Sequence, residues 1–352
     1  MVFRSKKKKE KGTILIITLW ILAILAVLAV GFAYRMSLEL KLTGYQLGRL
    51  KVLYLAKAGI RKAILELEKD TNSYDTLQEA WSNNEKAFRK IKLGDGWFTV
   101  SYSLPKEDSE EKVVFYGMMD EERKININKA SKETLEALFE LVDEPKSTDI
   151  AASIVDWRDP DSKVEEGGAE DSYYRSLDKP YDCKNADFEM IEELLLVKGV
   201  TPKLLSKVRN LITIYGEGRV NINTAGKKVL QALGRGMVRA RNIPEVDENT
   251  ADNLAERIIR FREQGQTEKD EEYIFKDLND IVNKMSRFEG GTTGSGENNL
   301  INALKPQLAV RSSNFKITVI ASLNDGKVVK TATAIVARNS GQSTIIRYWH
   351  DN

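Results

Sequence analysis

An uncharged segment, Thr13 to Tyr34, follows a cluster of lysines and constrains the fold more than any other feature of the sequence. About 20 helical residues, rising 1.5 Å each, cover the hydrocarbon core of a bilayer. The segment is therefore long enough to span a membrane as one helix. A secretory signal has a shorter apolar region, of about 7–15 residues, and ends at small residues. Here Gly12 precedes the apolar residues, so cleavage at Gly12 would leave the helix on the protein.

The lysines before the apolar segment predict its orientation. Lys6 to Lys9 and Lys11 place the amino terminus in the cytoplasm by the positive-inside rule, and the chain after Arg35 is expected on the far side of the membrane. An ordinary single-pass anchor and an export signal that later serves as an anchor both explain this pattern. Composition leaves these two alternatives open.

Composition narrows the function classes. With 352 residues, 42% of them hydrophobic and 30% charged, the chain is expected to form two domains beyond the anchor. The single cysteine, Cys183, excludes an intramolecular disulfide, and the single histidine, His350, argues against His-based triads and His-rich metal sites. The sequence contains no phosphate-binding glycine loop, nucleotide fingerprint or nucleophile motif. We therefore expect that the protein is not an enzyme.

Charge argues against a nucleic-acid partner. Residues 1–12 hold six of the Lys and Arg residues and one Glu, so removing them changes the formal charge from +2 to −3. A nucleic-acid surface needs clustered cations that displace counterions from phosphates. We expect no nucleic acid among the partners.

Periodicity predicts one long helix and a divided sheet. Apolar residues at helical spacing predict a helix from about Thr13 to Asp70. Alternating apolar residues in 96–104 and 113–120 predict two paired strands. Three further strands, with a turn at Asn324-Asp325-Gly326 between the first two, are predicted at 315–323, 330–338 and 343–350. Because some 200 residues separate the two groups of strands, the sequence predicts a domain inserted into a loop.

The predicted insertion contains an internal repeat. The segments KININKASKETLEAL (124–138) and RVNINTAGKKVLQAL (219–233) align without a gap. Each predicts a short extended segment followed by an amphipathic helix. Asn128 and Asn223 lie near the predicted helix starts, and we interpret them as capping or turn asparagines rather than ligands.

Two further segments of the insertion have local signals. Residues 191–212 predict a helix, a tight turn at Gly199 and a second helix. Residues 289–299, EGGTTGSGENN, are rich in Gly, Thr and Ser and predict a flexible surface loop.

The segment IVDWRDPDSKVEEGGAEDSYY (154–174) concentrates carboxylates around a turn at Pro160. Oxygen ligands without His or Cys suit a hard ion such as Ca²⁺ better than zinc, although the regular EF-hand spacing is missing. The alternative is a solvated loop neutralised by Arg158 and Lys163. The carboxylates of the segment are Asp156, Asp159, Asp161, Glu165, Glu166, Glu170 and Asp171.

An ordered set of motifs resembles the K-type minor pseudopilins of bacterial type II secretion, the general secretion pathway protein K family. The residues KEK-Gly12-Thr13-ILII resemble a prepilin leader. One departure is that pilins usually carry Glu at the fifth mature position, which is Ile17 here. The remaining motifs are NINKASKETLEAL, VDWRDPD, GAEDSYY, the pair Pro180-Tyr181, ELLLVKGVT and the terminal RYW.

The resemblance implies an α+β pseudopilin fold, in which a long N-terminal transmembrane helix packs on an antiparallel sheet and a large all-α domain is inserted. It also implies a division of the chain. The expected parts are a prepilin leader (1–12), a transmembrane and stalk helix (13–70), the first part of the pseudopilin domain (71–123), the inserted helical domain (124–310) and the C-terminal strands (311–352).

The resemblance further implies a function. Members of the family cap the tip of a pseudopilus rooted in the inner membrane and begin its assembly with the I-type and J-type minor pseudopilins. The other implied partners are the major pseudopilin, the inner-membrane assembly platform and the prepilin peptidase, which cuts after Gly12 and methylates the new amino terminus at Thr13. The protein is expected as a single-pass protein of the inner membrane, with its amino terminus in the cytoplasm and its C-terminal domain in the periplasm.

Calcium is also implied, since the family's calcium sites lie in the inserted domain. We expect a structural Ca²⁺ at the acidic turn, and the candidate ligands are Asp156, Asp159, Asp161, Glu170 and Asp171.

Two alternative functions share part of the pattern. NINTA before a helix, and the predicted turn at Gly199 between helices, resemble the helix-hairpin-helix modules of membrane-anchored DNA receptors. However, VKGVTP contains only one of the two glycines of that hairpin. A minor pilin of a type IV pilus shares the anchor but does not predict the large insertion.

Overall fold

A computed structural model describes residues 11–105, 111–268, 271–288, 294–323, 326, 328–338 and 344–351. The predicted leader, 1–12, lies outside the described residues except for its last two positions. Asn324 and Asp325 of the predicted turn also lie outside them.

The described residues begin with one uninterrupted helix, α1 (Lys11–Glu68), close to the predicted range. Every side chain from Gly12 to Leu47 is exposed. By length and composition, this helix could cross a membrane, and it is the one candidate span among the described residues. Its exposed apolar part and its packed part are continuous, so a membrane anchor would connect directly to the folded head.

The second half of α1 packs on a sheet. Val52, Ala56, Ile60 and Ala63 recur at helical spacing and are almost fully buried. At Gly59 the helix approaches the sheet so closely that an added Cβ would lie 2.6 Å from Val319 Cγ1. Glycine costs about 1 kcal/mol relative to alanine in a helix, and the close packing that it allows here offsets this cost.

The sheet is antiparallel, and its strands come from both ends of the chain. The strands are β1 (Ile91–Leu93), β2 (Gly96–Val100), β5 (Met119–Asp120), β10 (Asn314–Leu323), β11 (Val329–Ala337) and β12 (Ile345–Asp351). They run in the order β1-β2-β10-β11-β12, and the short strand β5 pairs with β10. Val319 of β10 lies opposite Val100 of β2, so residues more than 200 positions apart form neighbouring strands.

The single strand predicted over 96–104 is wrong, because the chain changes partners at Ser101, but the predicted pairing with 113–120 is confirmed for the residues after Ser101. Residues after Ser101 form β3 (Tyr102–Pro105), which pairs with β4 (Lys112–Phe115) in a separate two-stranded sheet. Tyr102 stacks on Phe115, and its hydroxyl lies 2.7 Å from Ser82 Oγ. The alternation of apolar residues continues through this change, so the pattern alone could not reveal it.

Between β5 and β10 the chain forms two similar helical units. In the first unit, β6 (Ile125–Asn126) pairs in parallel with β7 (Ile212–Thr213). In the second unit, β8 (Val220–Asn221) pairs in parallel with β9 (Leu308–Ala309). The helices are α3 (Lys132–Glu140), α4 (Ser147–Arg158), α5 (Asp171–Tyr174) and α6 (Pro202–Val208) in the first unit, and α7 (Lys227–Ala240), α8 (Glu248–Glu268), α9 (Asp280–Arg287) and α10 (Ser295–Leu304) in the second. The remaining short helices are α2 (Glu85–Phe88) and 3-10 turns at Ile191–Leu196, Glu271–Tyr273 and Lys305–Gln307.

The repeat predicted from the sequence is confirmed by matching contacts. Asn128 Nδ2 donates to Phe188 O at 3.0 Å, and Phe188 N donates back to Asn128 Oδ1 at 2.8 Å. In the second unit, Asn223 makes the same pair of bonds with Phe275, at 2.9 and 3.0 Å. These asparagines join distant backbone segments and do not cap helices. The N-caps of α3 and α7 are Ser131 and Gly226.

Two hydrophobic clusters divide the buried apolar residues. One joins α1 to the sheet, and the other fills both helical units. The loop predicted over 289–299 is partly wrong, because α10 already begins at Ser295. Residues 289–293 lie outside the described residues. The domain limits drawn from the sequence stay predictions.

Candidate metal centre

The acidic turn of the first unit brings three carboxylates together. Helix α4 ends at Arg158, and the chain turns so that Asp159, Asp161 and Glu170 each place an oxygen within 4.8 Å of the other two. Asp159 is the C-cap of α4 and Glu170 is the N-cap of α5. The ends of two helices therefore position two of the three carboxylates.

The three carboxylates have few hydrogen-bond partners of their own. Glu170 is only 2% exposed, and neither of its carboxylate oxygens accepts a well-formed hydrogen bond. Asp159 Oδ1 is buried and without a partner as well. An unsatisfied buried acceptor costs about 1–3 kcal/mol, and more when it is charged. Such oxygens fit a bound cation.

Electrostatics agree with this geometry. Burial raises the pKa of Glu170 above its ordinary value, and the charges of Asp156 and Asp159 raise it further. Burial also raises the pKa of Asp159, with Asp161 as the next contributor. Buried carboxylates that lie close together favour the protonated form, which removes their mutual repulsion, unless a cation neutralises their charges. Oxygen ligands of this kind suit Ca²⁺.

Asp156, another predicted ligand, instead shapes the loop that follows it. The residue is fully buried, and both of its oxygens accept from Glu165 N, at 3.0 and 3.3 Å. A Cβ on Gly168 would collide with Asp156 Oδ2, so the loop passes directly over this carboxylate. Asp156 therefore holds the loop that carries Glu170 and does not join the group of three.

Asp171 also turns away from the other candidates. Its Oδ1 accepts from Cys183 N at 2.8 Å, and its Oδ2 pairs with Arg175 at 2.9 Å. The structure thus brings together three of the five predicted ligands, and the other two bind the surrounding chain.

The solvated-loop alternative relied on Arg158 and Lys163 to neutralise the turn. The Arg158 guanidinium instead donates to the carbonyls of Ile127 and Ala130, although its charge lowers the pKa of Asp159. Lys163 donates its backbone N–H to Asp161 Oδ1 at 2.8 Å. Arginine at the end of α4 is therefore mainly a structural link to the start of the unit.

Lys198 is a residue that sequence reasoning missed. Its Nζ donates to Gly167 O at 3.0 Å and to Gly168 O at 2.9 Å, so it anchors the loop from outside. Gly167 has φ +84°, a conformation that favours glycine. The only local signal was the adjacent turn at Gly199, which has φ +83°.

Aromatic side chains from the two ends of the acidic turn pack against one another. The ring centroids of Trp157 and Tyr174 lie 5.1 Å apart, edge to face, and Tyr181 stacks on Tyr174 at 5.4 Å. Cys183 is buried beside them, its Sγ lies 3.6 Å from Asp156 O, and burial raises its pKa to about 12. A thiol in this state is a structural group and not a nucleophile.

The predicted processing site lies in the first turn of α1. Gly12 and Thr13 are helical and exposed, and Ile17 is 53% exposed on the same apolar segment. The lysines from Lys6 to Lys9 lie outside the described residues.

Comparisons with known proteins agree with the resemblance seen in the sequence. Residues 113–217, which contain the acidic turn, match the model of the family described as type II secretion system (T2SS), protein K. The chain is 27% identical to type II secretion system protein K of Aeromonas hydrophila over 235 residues, which cover 62% of this chain and 68% of the relative. It is 24% identical to the protein of the same name from Pseudomonas aeruginosa over 275 residues, 75% of this chain and 76% of the relative. The putative type II secretion system protein K of Escherichia coli K12 is 24% identical over 61% of this chain and 65% of its own length. The resemblance to type II secretion system protein K is confirmed by this family model and by relatives of that name.

A solved structure supports the fold. A chain in the crystal structure of the GspK-GspI-GspJ complex from the type 2 secretion system of enterotoxigenic Escherichia coli superposes with a TM-score of 0.62 and 19% identity. The match covers 88% of this chain and 99% of the other. The α+β fold predicted from the resemblance, a long N-terminal apolar helix with an antiparallel sheet, is confirmed.

The family match also bears on the function class. Protein K is a structural component of the secretion machinery and not a member of an enzyme family. The family and the apolar half of α1 together indicate a membrane-anchored pseudopilin.

Proposed function

We propose that this chain caps the tip of the pseudopilus and helps to begin its assembly together with I-type and J-type minor pseudopilins. One combination of features carries the proposal. The pilin-like α1 has Ile17 where pilins have Glu, and two bulky helical units are inserted in the head. Each half of this combination has a physical consequence for stacking.

The first consequence concerns the membrane segment. A carboxylate in a bilayer costs roughly 2.5–3.5 kcal/mol on insertion scales unless something pairs with it. In pilins, the expected partner is the positive amino terminus of a neighbouring subunit. A first subunit has no subunit above it to join, so Ile17 fits a protein that starts the filament.

The second consequence concerns the head. The two helical units lie between β5 and β10, and they carry their own hydrophobic cluster beside the one that joins α1 to the sheet. A head enlarged in this way would obstruct a subunit stacked above it. The I-type and J-type partners are supported by the solved complex, in which GspK assembles with GspI and GspJ. The major pseudopilin and the inner-membrane assembly platform complete the set of proposed partners.

Processing and location follow the leader. We propose cleavage after Gly12 by the prepilin peptidase and methylation of Thr13, which leaves α1 on the protein as a single-pass anchor of the inner membrane. The basic amino terminus would face the cytoplasm and the head the periplasm. Gly12→Arg should leave the full-length form in the membrane, and amino-terminal sequencing of the mature wild-type protein should begin at Thr13.

We also propose that Asp159, Asp161 and Glu170 hold a structural Ca²⁺, with Asp156 and Lys198 positioning the loop that carries Glu170. The buried oxygens without partners support this proposal. The ion would order the turn between α4 and α5, and no chemical step passes through it.

The tip assignment is tested by location in the filament. Pseudopili from cells that overproduce the major pseudopilin can be labelled with gold-tagged antibodies against the head of this chain and imaged. We expect label at one end of each filament. Label distributed along the shaft would rule the assignment out. Ile17→Glu should be tolerated or mildly harmful, because it adds a carboxylate with no subunit above it to pair with.

A further inference from the structure

A second acidic cluster lies where the chain leaves α1, at the base of the head. Asp70, Asp75 and Glu79 each place a carboxylate oxygen within 4.8 Å of the other two. We propose that these residues, here called the base cluster, form a second divalent-cation site suited to Ca²⁺. It is separate in sequence from the acidic turn and does not depend on the function proposed above.

The first argument is a buried oxygen without a partner. Asp75 is fully buried, and its Oδ1 accepts no hydrogen bond. Its Oδ2 is occupied, because it accepts from Ser312 N at 2.6 Å and pairs with Arg338. Native structures seldom leave a buried carboxylate oxygen unpaired unless an ion or a water binds there. Oδ1 is therefore the oxygen most in need of a ligand.

The second argument is that the other two carboxylates are already held in place. Asn72 donates its backbone N–H to Asp70 Oδ1 at 3.0 Å and its Nδ2 to Glu79 Oε1 at 2.5 Å. Glu79 Oε2 accepts from both Thr76 N, at 2.7 Å, and Trp81 Nε1, at 3.0 Å. A carboxylate oxygen has about two lone-pair sites, so Asp70 Oδ1 and Glu79 Oε1, which each accept one of the bonds from Asn72, have room for a metal. Asn72 is exposed, which leaves a path from solvent to the cluster.

The third argument is charge. Arg338 pairs with Asp70 Oδ2 at 2.7 Å and with Asp75 Oδ2. With all three carboxylates ionised, this single guanidinium would leave two negative charges uncompensated among their described ion pairs. A divalent cation would balance the excess, and hard oxygen ligands favour Ca²⁺ or a similar ion.

A cation here would connect three parts of the head. Asp70 follows α1, Asp75 N donates to Val310 O at 2.7 Å just beyond the second helical unit, and Arg338 lies at the end of β11. Binding would therefore stabilise the junction between α1, the sheet and the inserted units, in contrast to the acidic turn, which orders one loop.

The test uses the full-length chain in detergent micelles and counts bound ⁴⁵Ca²⁺ by equilibrium dialysis. The wild type is expected to bind two ions per chain. Asp159→Asn/Asp161→Asn should lose one ion and Asp75→Asn should lose the other. Asp95→Asn is the matched control, since that exposed carboxylate pairs with Lys51 and belongs to neither cluster, and it should lose none.

Terbium luminescence locates the second ion. Trp81 Nε1 donates to Glu79 Oε2 at 3.0 Å, so Tb³⁺ in the base cluster should be sensitised by this indole. In the Asp159→Asn/Asp161→Asn protein, Trp81→Phe should abolish most of the sensitised emission while ⁴⁵Ca²⁺ binding persists.

Two results would overturn the proposal. One is an Asp159→Asn/Asp161→Asn protein that binds no Ca²⁺, which would mean that protons and Arg338 alone neutralise the base cluster. The other is an unchanged ion count in Asp75→Asn. If Asp75→Asn does not fold, Glu79→Gln replaces it and should weaken binding at this cluster at least about tenfold, because ligand charge sets calcium affinity. Loss of calcium at the acidic turn alone would leave the base cluster intact, so the two sites fail separately.

Discussion

The two helical units use the same framework but differ in what they add to it. Trp157-Arg158 at the end of α4 corresponds to Phe261-Arg262 in α8, and both arginines donate to carbonyls at the start of their own unit. The first unit places Asp156 before this pair, whereas the second has Arg260. The shared residues are therefore structural, and the acidic turn is an addition that belongs to the first unit.

Asn126 and Asn221 are a second pair of equivalent residues, and here the second unit has the additional contacts. Asn126 Nδ2 donates to the backbone carbonyls of Tyr215 and Gly216 within its own unit. Its counterpart Asn221 donates to Ser312 Oγ at 2.8 Å and to the buried carboxyl of Asp120 at 3.3 Å. The second unit is thus connected to the head through the buried carboxyl group of Asp120 and the hydroxyl group of Ser312. The first unit therefore carries the candidate metal site, and the second unit carries the contacts that join it to the head.

The largest effect is expected from the asparagines that both units share. Asn128→Ala and Asn223→Ala each leave a backbone N–H and a carbonyl of a buried phenylalanine without partners, at about 1–3 kcal/mol per group. We expect each to lower the free energy of unfolding by about 2–4 kcal/mol in urea denaturation. Asn223 should cost more, because it is 5% exposed and Phe275 is fully buried. The exposed Asn249→Ala is the control, and a harmless Asn128→Ala would show that the units are not equivalent.

Calcium should stabilise the protein through the first unit and not through the second. At a free concentration 100 times Kd, an ion that binds only the folded state stabilises it by about 2.7 kcal/mol. Measured in an Asp75→Asn background, so that the base cluster does not contribute, this stabilisation should disappear in Asp159→Asn/Asp161→Asn. Glu263→Gln alters the second unit at the position that matches Asp159 and should keep it. The readout is the Tm with Ca²⁺ and with EGTA, and an equal loss in both variants would contradict the comparison.

The pH response should come from the junction of the second unit. Burial raises the pKa of Asp75 from 3.8 to about 8 and that of Glu122 from 4.5 to about 7. Between the ordinary and the raised values, the folded state holds protons that the unfolded state has lost. Stability is therefore highest below about pH 4 for these groups and falls as pH rises toward 7–8, by up to about 1.4 kcal/mol per pH unit for each proton.

We expect Glu122→Gln to flatten this fall when chemical denaturation is followed between pH 5 and 8 in EGTA. Asp187→Asn, an exposed acid of the first unit that pairs with Lys129, should leave it unchanged. A slope that is the same in all three proteins would place the pH response elsewhere.

The smallest effect is expected from two lysines that anchor loops. Lys198 binds the carbonyls of Gly167 and Gly168, and Lys284 binds those of Glu272 and Ile274 at 2.8 and 2.7 Å. Lys198→Met and Lys284→Met should each cost about 1–3 kcal/mol of stability, the range for hydrogen bonds from a charged group. Only Lys198→Met should also weaken calcium binding at the acidic turn, as measured by calorimetry. A loss of calcium affinity in Lys284→Met would contradict this difference between the two units.

Much of the architecture could be predicted from the sequence, because its signals are local. The apolar run and the helical spacing after it predicted α1, alternation predicted β10 and β11, and gapless similarity predicted the two units. The density of acids around Pro160 predicted the region of the metal candidate. Each of these patterns lies within a few turns of helix or one strand, where side-chain period determines which face is buried.

Only the tertiary structure decided which of those residues meet. Asp156 and Asp171 look like ligands in sequence, yet their oxygens bind the backbone N–H groups of Glu165 and Cys183, which the fold brings beside them. The three acids of the base cluster are close in sequence, but the Arg338 that pairs with two of them lies 268 positions beyond Asp70. Contacts over such separations follow from how the sheet and the two units close on α1. The sequence alone therefore determined the elements and their chemistry, and packing determined the sites.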